Sequence, residues 1–244
     1  MVSSTTTNAT VLSAPAPPAD NEDPNAGDAA VTDWEVVGQS VQSRPIRVRT
    51  IGSGDRKVLY IGGIHGDEPE GKYATEALPQ AFSDAGLGDI ATLTILEDAN
   101  PDGRVAVTRT NANGVDVNRN FPASNFDAGD PANGGTPLSQ PESRAVVETV
   151  DRVGPDVVLV MHSWMGAEFI NFDGPAREIA ERFSASSGLP LKESAAFAAT
   201  PGSLGSFTGR DRGVPTLTIE ARRGAEPHQV WEQLQRALIE VIRG

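Results

Sequence analysis

No cysteine occurs anywhere in this chain of 244 residues. That excludes a disulfide framework and any thiolate metal site, so a metal would have to be held by histidine and carboxylate. Histidine is itself scarce: His65, His162 and His228 are the full set. No apolar run approaches the ~18–20 residues that a helical membrane span needs. Basic residues are also in deficit. Lys and Arg total 20 against 33 Asp and Glu, a formal net charge of −13. A chain this acidic repels nucleic acid and anionic lipid rather than collecting on them. The imbalance is steepest at the start. No Lys or Arg precedes Arg44, while six acids do, so residues 1–43 supply −6 and the remainder −7.

The first stretch, MVSSTTTNATVLSAPAPPAD, lacks both the basic and the continuous apolar region of an intact signal peptide. The expected location is therefore cytoplasmic, with export after removal of a leader as the alternative. Residues 1–31 are rich in Ser, Thr, Pro and Ala, are acidic, and are poor in large apolar side chains. They cannot bury enough surface to offset chain entropy and are expected to be a disordered tail. From about residue 32 to 244 the pattern is that of one domain, long enough for a large α/β core.

What the domain does contain is alternation. β-like runs fall at 34–40, 46–51, 57–63, 91–97, 156–162, 168–172 and 215–220, several of them continuously apolar. Runs of that kind suit inner strands covered on both faces. Helical patterns lie between them: from Pro69 to about Phe82, after Ser139, over roughly 174–187, and from Pro227 to Arg243. Ser139 and Glu142 have capping-box spacing with Pro141 in the first turn. In the last helix Val230, Leu234, Leu238 and Val241 share a face. The expected fold class is α/β: a mixed, largely parallel central sheet flanked by helices on both faces, with the first two strands as an antiparallel edge pair. Sites in such sheets form at the C-terminal ends of strands. His65, the stretch NPDG (100–103), His162 and Glu220 all stand at strand ends.

GGIHGDEPEG (62–71) places His65 and Glu68 in a turn that Gly66 and Pro69 keep from being a regular helix. Two ligands fall short of a catalytic zinc site, which has three and an open position. His162 is the other strand-end histidine, and two His with one Glu match a ligand set known for hydrolytic zinc. The plain alternative is a turn-capping His65 and a half-buried structural His162. TRTNANGVDVNRNFP (108–122) carries Arg109, Asp116, Asn118 and Arg119. An Asn-Arg pair on an irregular segment suits a carboxylate, which takes a fork of hydrogen bonds from guanidinium. A structural ion pair is the competing reading.

HGDE (65–68), NPDG (100–103), GVDVNRNFP (114–122), HSW (162–164) and TIEARRG (218–224), in that order, resemble the zinc carboxypeptidase family. The short span between Glu68 and His162, and TPGSLGSF (200–207), are most similar to its small bacterial branch. That branch includes murein peptide amidases, which cut the γ-D-glutamyl bond to meso-diaminopimelate. The resemblance implies one Zn2+ bound by His65, Glu68 and His162. It implies Asp116 behind His65, Asn118 and Arg119 on the substrate carboxylate, Arg109 at the oxyanion, and Glu220 as general base and then acid. The implied partner is a small peptide with a free carboxylate.

One feature departs from the larger digestive members and another from the murein amidases. Their substrate-covering tyrosine has no counterpart, since the matching region GSLGSFTG (202–209) offers Phe207 and Thr208. Glu220 is followed by Ala-Arg-Arg-Gly rather than the Glu-Leu-Pro common in murein amidases. Arg222 is a candidate to orient the loop, and Arg223 to read an acidic group or to form a surface ion pair. Asp67 and Glu70 read as solvent-facing or helix N-terminal charges, and His228 as surface. The rival functions are an N-acyl amino acid deacylase of the aspartoacylase and succinylglutamate desuccinylase type, and a carboxypeptidase acting on ordinary peptides. A binding protein without turnover is the rival from another class, disfavoured by Glu220 and Arg109.

Overall fold

The computed structural model describes residues 33–193 and 200–244, so the expected tail over 1–31 lies outside the described residues. Eight strands form one sheet. They are β1 (Glu35–Gln39), β2 (Pro45–Ile51), β3 (Arg56–Ile61), β4 (Ala91–Leu96), β5 (Val157–Trp164), β6 (Phe169–Asp173), β7 (Leu191–Glu193) and β8 (Thr216–Arg222). Their spatial order is β1-β2-β4-β3-β5-β8-β6-β7. The inner four, β4-β3-β5-β8, are mutually parallel. β1 pairs antiparallel with β2 at one edge, and β2 with β4. β6 runs antiparallel to β8. The sheet is thus mixed with a parallel centre, as the sequence pattern predicts.

Period-2 alternation builds two cores from the same strands. Val58, Tyr60, Leu159, Met161, Leu217 and Ile219 face one side. There they meet α1 (Pro69–Asp84), α4 (Arg177–Ser187) and α5 (Pro227–Arg243). The predicted face of α5 is buried in this layer. Leu59, Ile61, Val158 and Val160 face the other side, against α3 (Pro141–Val153). Both faces being covered explains why the inner strands read as unbroken apolar runs. No helix among the described residues is long and apolar enough to cross a membrane.

One α-helix and one strand are absent from the sequence reading, as are short helical turns at Val117–Arg119, Pro131–Asn133 and Gly205–Asp211. α2 (Pro101–Ala106) is a short helix in which Asn100 accepts from the Gly103 N–H and Pro101 fills the first turn. β7 is three residues on the sheet edge beside β6. One expectation fails. The Ser139–Glu142 capping box does not form, because Gln140 occupies the cap position and makes no side-chain cap bond. Glu142 instead accepts from the Val41 N–H at 3.0 Å and from the Asn111 amide at 2.9 Å. Two long-range partners outcompete a local one.

Candidate metal centre and catalytic pocket

β3 runs through Gly62 and Gly63 into the turn that carries His65. The turn lies against the NPDG segment, backbone on backbone. The Ala99 and Asn100 N–H groups donate to the Gly62 and Gly63 carbonyls, each at 2.9 Å. A Cβ on Gly66 would lie 1.9 Å from the Gly103 carbonyl carbon, so only glycine permits this approach. Pro69 starts α1, and Glu68 stands at its cap position without bonding the helix. Its carboxylate is left for other partners.

Those partners are the two histidines. Glu68 Oε1 is 2.9 Å from His65 Nδ1, and Glu68 Oε2 is 2.9 Å from His162 Nδ1. The two Nδ1 atoms are 3.0 Å apart. All three residues are buried, at 2 to 3% exposure. Atoms that all carry lone pairs meet this closely only when protons or a cation hold them together. In a tetrahedral site with bonds of ~2.0–2.1 Å, donor atoms stand roughly 3.3 Å apart. The donor set is therefore right in chemistry and close in spacing for one divalent ion, and among the described residues these three form the group able to hold one.

The surroundings set the charge states. His65 Nε2 meets Asp116 Oδ1 at 3.1 Å, which fixes the ring so that Nδ1 points at Glu68. Burial alone would lower the His65 pKa, but its bonds to Asp116 and Glu68 more than offset that and raise it. Burial likewise works against the charged forms of Glu68 and Asp116. For Glu68 the charge and hydrogen bond of His162, with those of His65, hold the carboxyl far below the usual range. For Asp116 the His65 bond and the Arg109 charge do the same.

Asp116 also organises the NRNFP segment. Its Oδ1 accepts the Asn118 N–H at 2.9 Å, and its Oδ2 accepts from Arg109 Nε at 2.9 Å. Arg109 Nη1 lies 3.5 Å from Glu68 Oε1. Arg119 Nη1 donates to the Asn118 carbonyl at 2.8 Å. The Leu204 N–H donates to Asn118 Oδ1 at 2.9 Å, which turns the amide nitrogen toward His162 Nε2, 3.2 Å away.

Glu220 comes from the neighbouring strand. In the parallel β5–β8 ladder His162 is the register partner of Glu220, as Val160 is of Thr218. Register partners point to the same face, so the sheet itself aims both side chains into one space. Burial pushes the Glu220 carboxyl up, the Glu68 charge adds to this, and the His162 charge opposes it. A cavity of about 380 Å³ is lined by His65, Glu68, His162 and Glu220 together with Arg109, Asn118 and Arg119. Seven of the eight residues singled out in the sequence thus share one wall-to-wall space, and the eighth, Asp116, stands behind it.

The sequence reading missed several contributors. Arg104 donates to the Glu68 carbonyl at 3.2 Å and lies against the buried Asp98. Trp164, Asn171 and Asp173 line the cavity from β5 and β6. Glu70 is in the first turn of α1 but is 1% exposed, not solvent-facing. Arg223 pairs with partly buried and buried carboxylates rather than at the surface: it reaches Asp67 at 3.0 Å and Glu68 at 3.2 Å. Phe207 is buried against Phe121, and Thr208 is bonded inside the core, so neither takes the place of the family's tyrosine at the cavity. His228 is on the surface beside Glu232.

Residues 25–188 match the family model described as zinc carboxypeptidase. Over 178 residues the chain is 30% identical to murein peptide amidase A of Escherichia coli strain K12, covering 66% of this chain and 69% of that protein. It is 31% identical over 150 residues to Carboxypeptidase SOL1 of Arabidopsis thaliana, covering 56% of this chain but 29% of that protein. Among solved structures, the murein-tripeptide amidase of Escherichia coli O157 superposes with a TM-score of 0.68 at 25% identity, covering 92% of this chain and 97% of the other.

Proposed function

The chain belongs to the zinc carboxypeptidase family, and from that premise we propose that it hydrolyses the amide bond beside a free carboxylate in murein peptides, the γ-D-glutamyl–meso-diaminopimelate bond. The observation that carries this reading is the convergence of the His65–Glu68–His162 group, Glu220 and the Arg109, Asn118 and Arg119 donors on one cavity. Identity to murein peptide amidase A supports the murein substrate in particular. We place the catalytic unit in residues 32–244.

In this reading His65, Glu68 and His162 hold the zinc ion. When bound, zinc acts as a Lewis acid and brings the pKa of water to about 7. Arg119 and the Asn118 amide grip the terminal carboxylate and so fix which amide bond is presented, which supplies proximity and makes the cut an exopeptidase cut. Glu220 has a carboxylate whose proton affinity burial has raised. It takes a proton from the attacking water and returns it to the leaving amine. Arg109 is half exposed and anchored by Asp116. From there it donates to the oxyanion that develops on the scissile carbonyl, a role commonly worth ~3–4 kcal/mol. Asp116 keeps His65 in the tautomer whose Nδ1 is free.

The test is a mass spectrum of L-Ala-γ-D-Glu-meso-diaminopimelate after incubation with zinc-loaded protein, beside a chelated sample. Release of free diaminopimelate with zinc and none with chelator is the expected result. An intact tripeptide refutes the murein substrate. The identity to Carboxypeptidase SOL1 favours one second reading, an ordinary C-terminal peptide. Cleavage of a peptide panel in the absence of tripeptide cleavage would mark that case, and cleavage of acetyl-aspartate or succinyl-glutamate alone would mark a deacylase.

A further inference from the structure

Two guanidinium groups reach the same oxygen of Glu68. Arg109 Nη1 lies 3.5 Å from Oε1, and Arg223 Nη2 is closer, at 3.2 Å. The other oxygen, Oε2, meets His162 Nδ1. Arg223 is well held for this contact. Its Nη1 donates to Asp67 Oδ2 at 3.0 Å, and its backbone N–H donates to the Trp164 carbonyl at 2.8 Å, just past the Trp164–Arg222 register pair. Gly224, at φ +78°, turns its N–H to Glu70 Oε1 at 3.3 Å. Glu70 is 1% exposed, and its Oε2 has no partner. Two successive residues at the exit of β8 therefore bind three carboxylates, Asp67 and Glu68 of the turn and Glu70 at the start of α1.

A surface ion pair contributes little, but this one ends on a carboxylate whose side chain is 3% exposed. We infer that Arg223 is a positioning residue for the metal ligand: by bonding Oε1 it holds the Glu68 carboxylate in the orientation in which Oε1 faces His65 Nδ1 and Oε2 faces His162 Nδ1, each at 2.9 Å. Partners behind a ligand fix its orientation and donor strength, and their loss typically weakens a site. Glu220 lies three residues upstream, on β8. The contact thus also fixes the general base relative to the ligand across the cavity. The inference rests on the reading that Glu68 is a zinc ligand.

The test measures zinc affinity by competition with a fluorescent chelator for the wild type, Arg223→Gln, Arg223→Lys and Asp67→Asn, and the visible absorption of the cobalt-substituted forms. Arg223→Gln is expected to raise the zinc Kd ~10- to 100-fold and to shift the cobalt bands. Arg223→Lys, which keeps the charge but not the fork, recovers part of both. Asp67→Asn frees one end of the guanidinium and moves both in the same direction by less. If Arg223→Gln does not fold, Arg223→Lys and Asp67→Asn carry the test alone. A folded Arg223→Gln with wild-type zinc Kd and an unchanged cobalt spectrum overturns the inference. So do Arg223→Lys and Asp67→Asn variants that both match wild type. A wild type that binds no zinc removes the reading of Glu68 as a ligand, and this inference with it. Loss of affinity with unaltered cobalt bands, or bands that Arg223→Lys does not restore, shows a structural role only and overturns it as well.

Discussion

Replacing Asp116 by asparagine separates charge from shape at the point where the proposed metal centre and the proposed substrate donors meet. Asp116 is 7% exposed and serves three partners. Its Oδ1 takes His65 Nε2 at 3.1 Å and the Asn118 N–H at 2.9 Å, and its Oδ2 takes Arg109 Nε at 2.9 Å. Asparagine can keep the Oδ1 role, because the backbone N–H of Asn118 fixes which amide atom sits there. The atom facing Arg109 then becomes an N–H2, and donor meets donor. His65 loses its anionic partner and Arg109 loses its anchor. Loss of a carboxylate behind a ligating histidine typically costs 10- to 100-fold in metal affinity, or about 1.4–2.7 kcal/mol. Hydrogen bonds to charged groups run at about 1.5–3 kcal/mol, so a freed Arg109 should cost a further ~10- to 100-fold in kcat with zinc saturating. Zinc Kd by chelator competition and kcat on the tripeptide at saturating zinc measure the two terms separately. A Kd and a kcat both within about twofold of wild type would refute the reasoning for both partners. A raised Kd with kcat unchanged would refute it for Arg109 alone.

Glu220→Gln keeps the shape of the proton carrier and removes its basicity. General acid–base groups are worth ~10²- to 10⁴-fold, so kcat should fall in that range while zinc content by mass spectrometry stays at one ion per chain. Full activity in this variant would sink the mechanism. Asp98, buried behind the His65 turn, gives a pH effect on stability with a defined sign. Burial pushes its carboxyl to about 6 from an ordinary 3.8, against the opposing Arg104 charge. Between those values the folded protein holds a proton that the unfolded chain has lost, so stability falls as pH rises. About two units at 1.36 kcal/mol each is roughly 3 kcal/mol. Urea unfolding of Asp98→Asn against wild type at pH 4.5 to 7.5 should show the variant gaining relative stability with pH. A difference independent of pH would show that Asp98 does not titrate there.

Legibility in the sequence followed how local each cause is. The inner strands could be read because both cores draw on alternate residues of the same runs, Leu59 and Ile61 on one face and Val58 and Tyr60 on the other. His65, Glu68, His162 and Glu220 could be read because a polar residue at the end of an apolar strand needs a reason. α2 left a cue in Asn100-Pro101, a cap followed by a helix-starting proline. It ends at Val107, a β-branched residue at φ +54° that no local preference would choose. β7 is three residues whose pairing with β6 is decided by tertiary contact. The capping box failed for the converse reason: Glu142 found partners 101 and 31 residues away in the chain. Arg223 was visible as a charge, but its target lies 155 residues upstream, and nothing near it names Glu68 as the acceptor.

The register of β8 on β5 is what brings His162 and Glu220 into one cavity. His162 pairs with Glu220 and Trp164 with Arg222. A slip of one residue would send Glu220 to the opposite face, toward the layer that holds Leu217 and Ile219, and would bury a carboxylate among aliphatic side chains. The same slip would carry those aliphatic residues to the α3 face, where Val158 and Val160 already pack. Core packing therefore enforces the placement of Glu220. The contacts at the strand exit act beyond the last ladder pair, where packing no longer decides. There the Arg223 N–H on Trp164 and the guanidinium on Asp67 and Glu68 continue the alignment. On this account the hydrophobic strands set position to within a residue, and the buried polar contacts at their ends set the orientation of each donor.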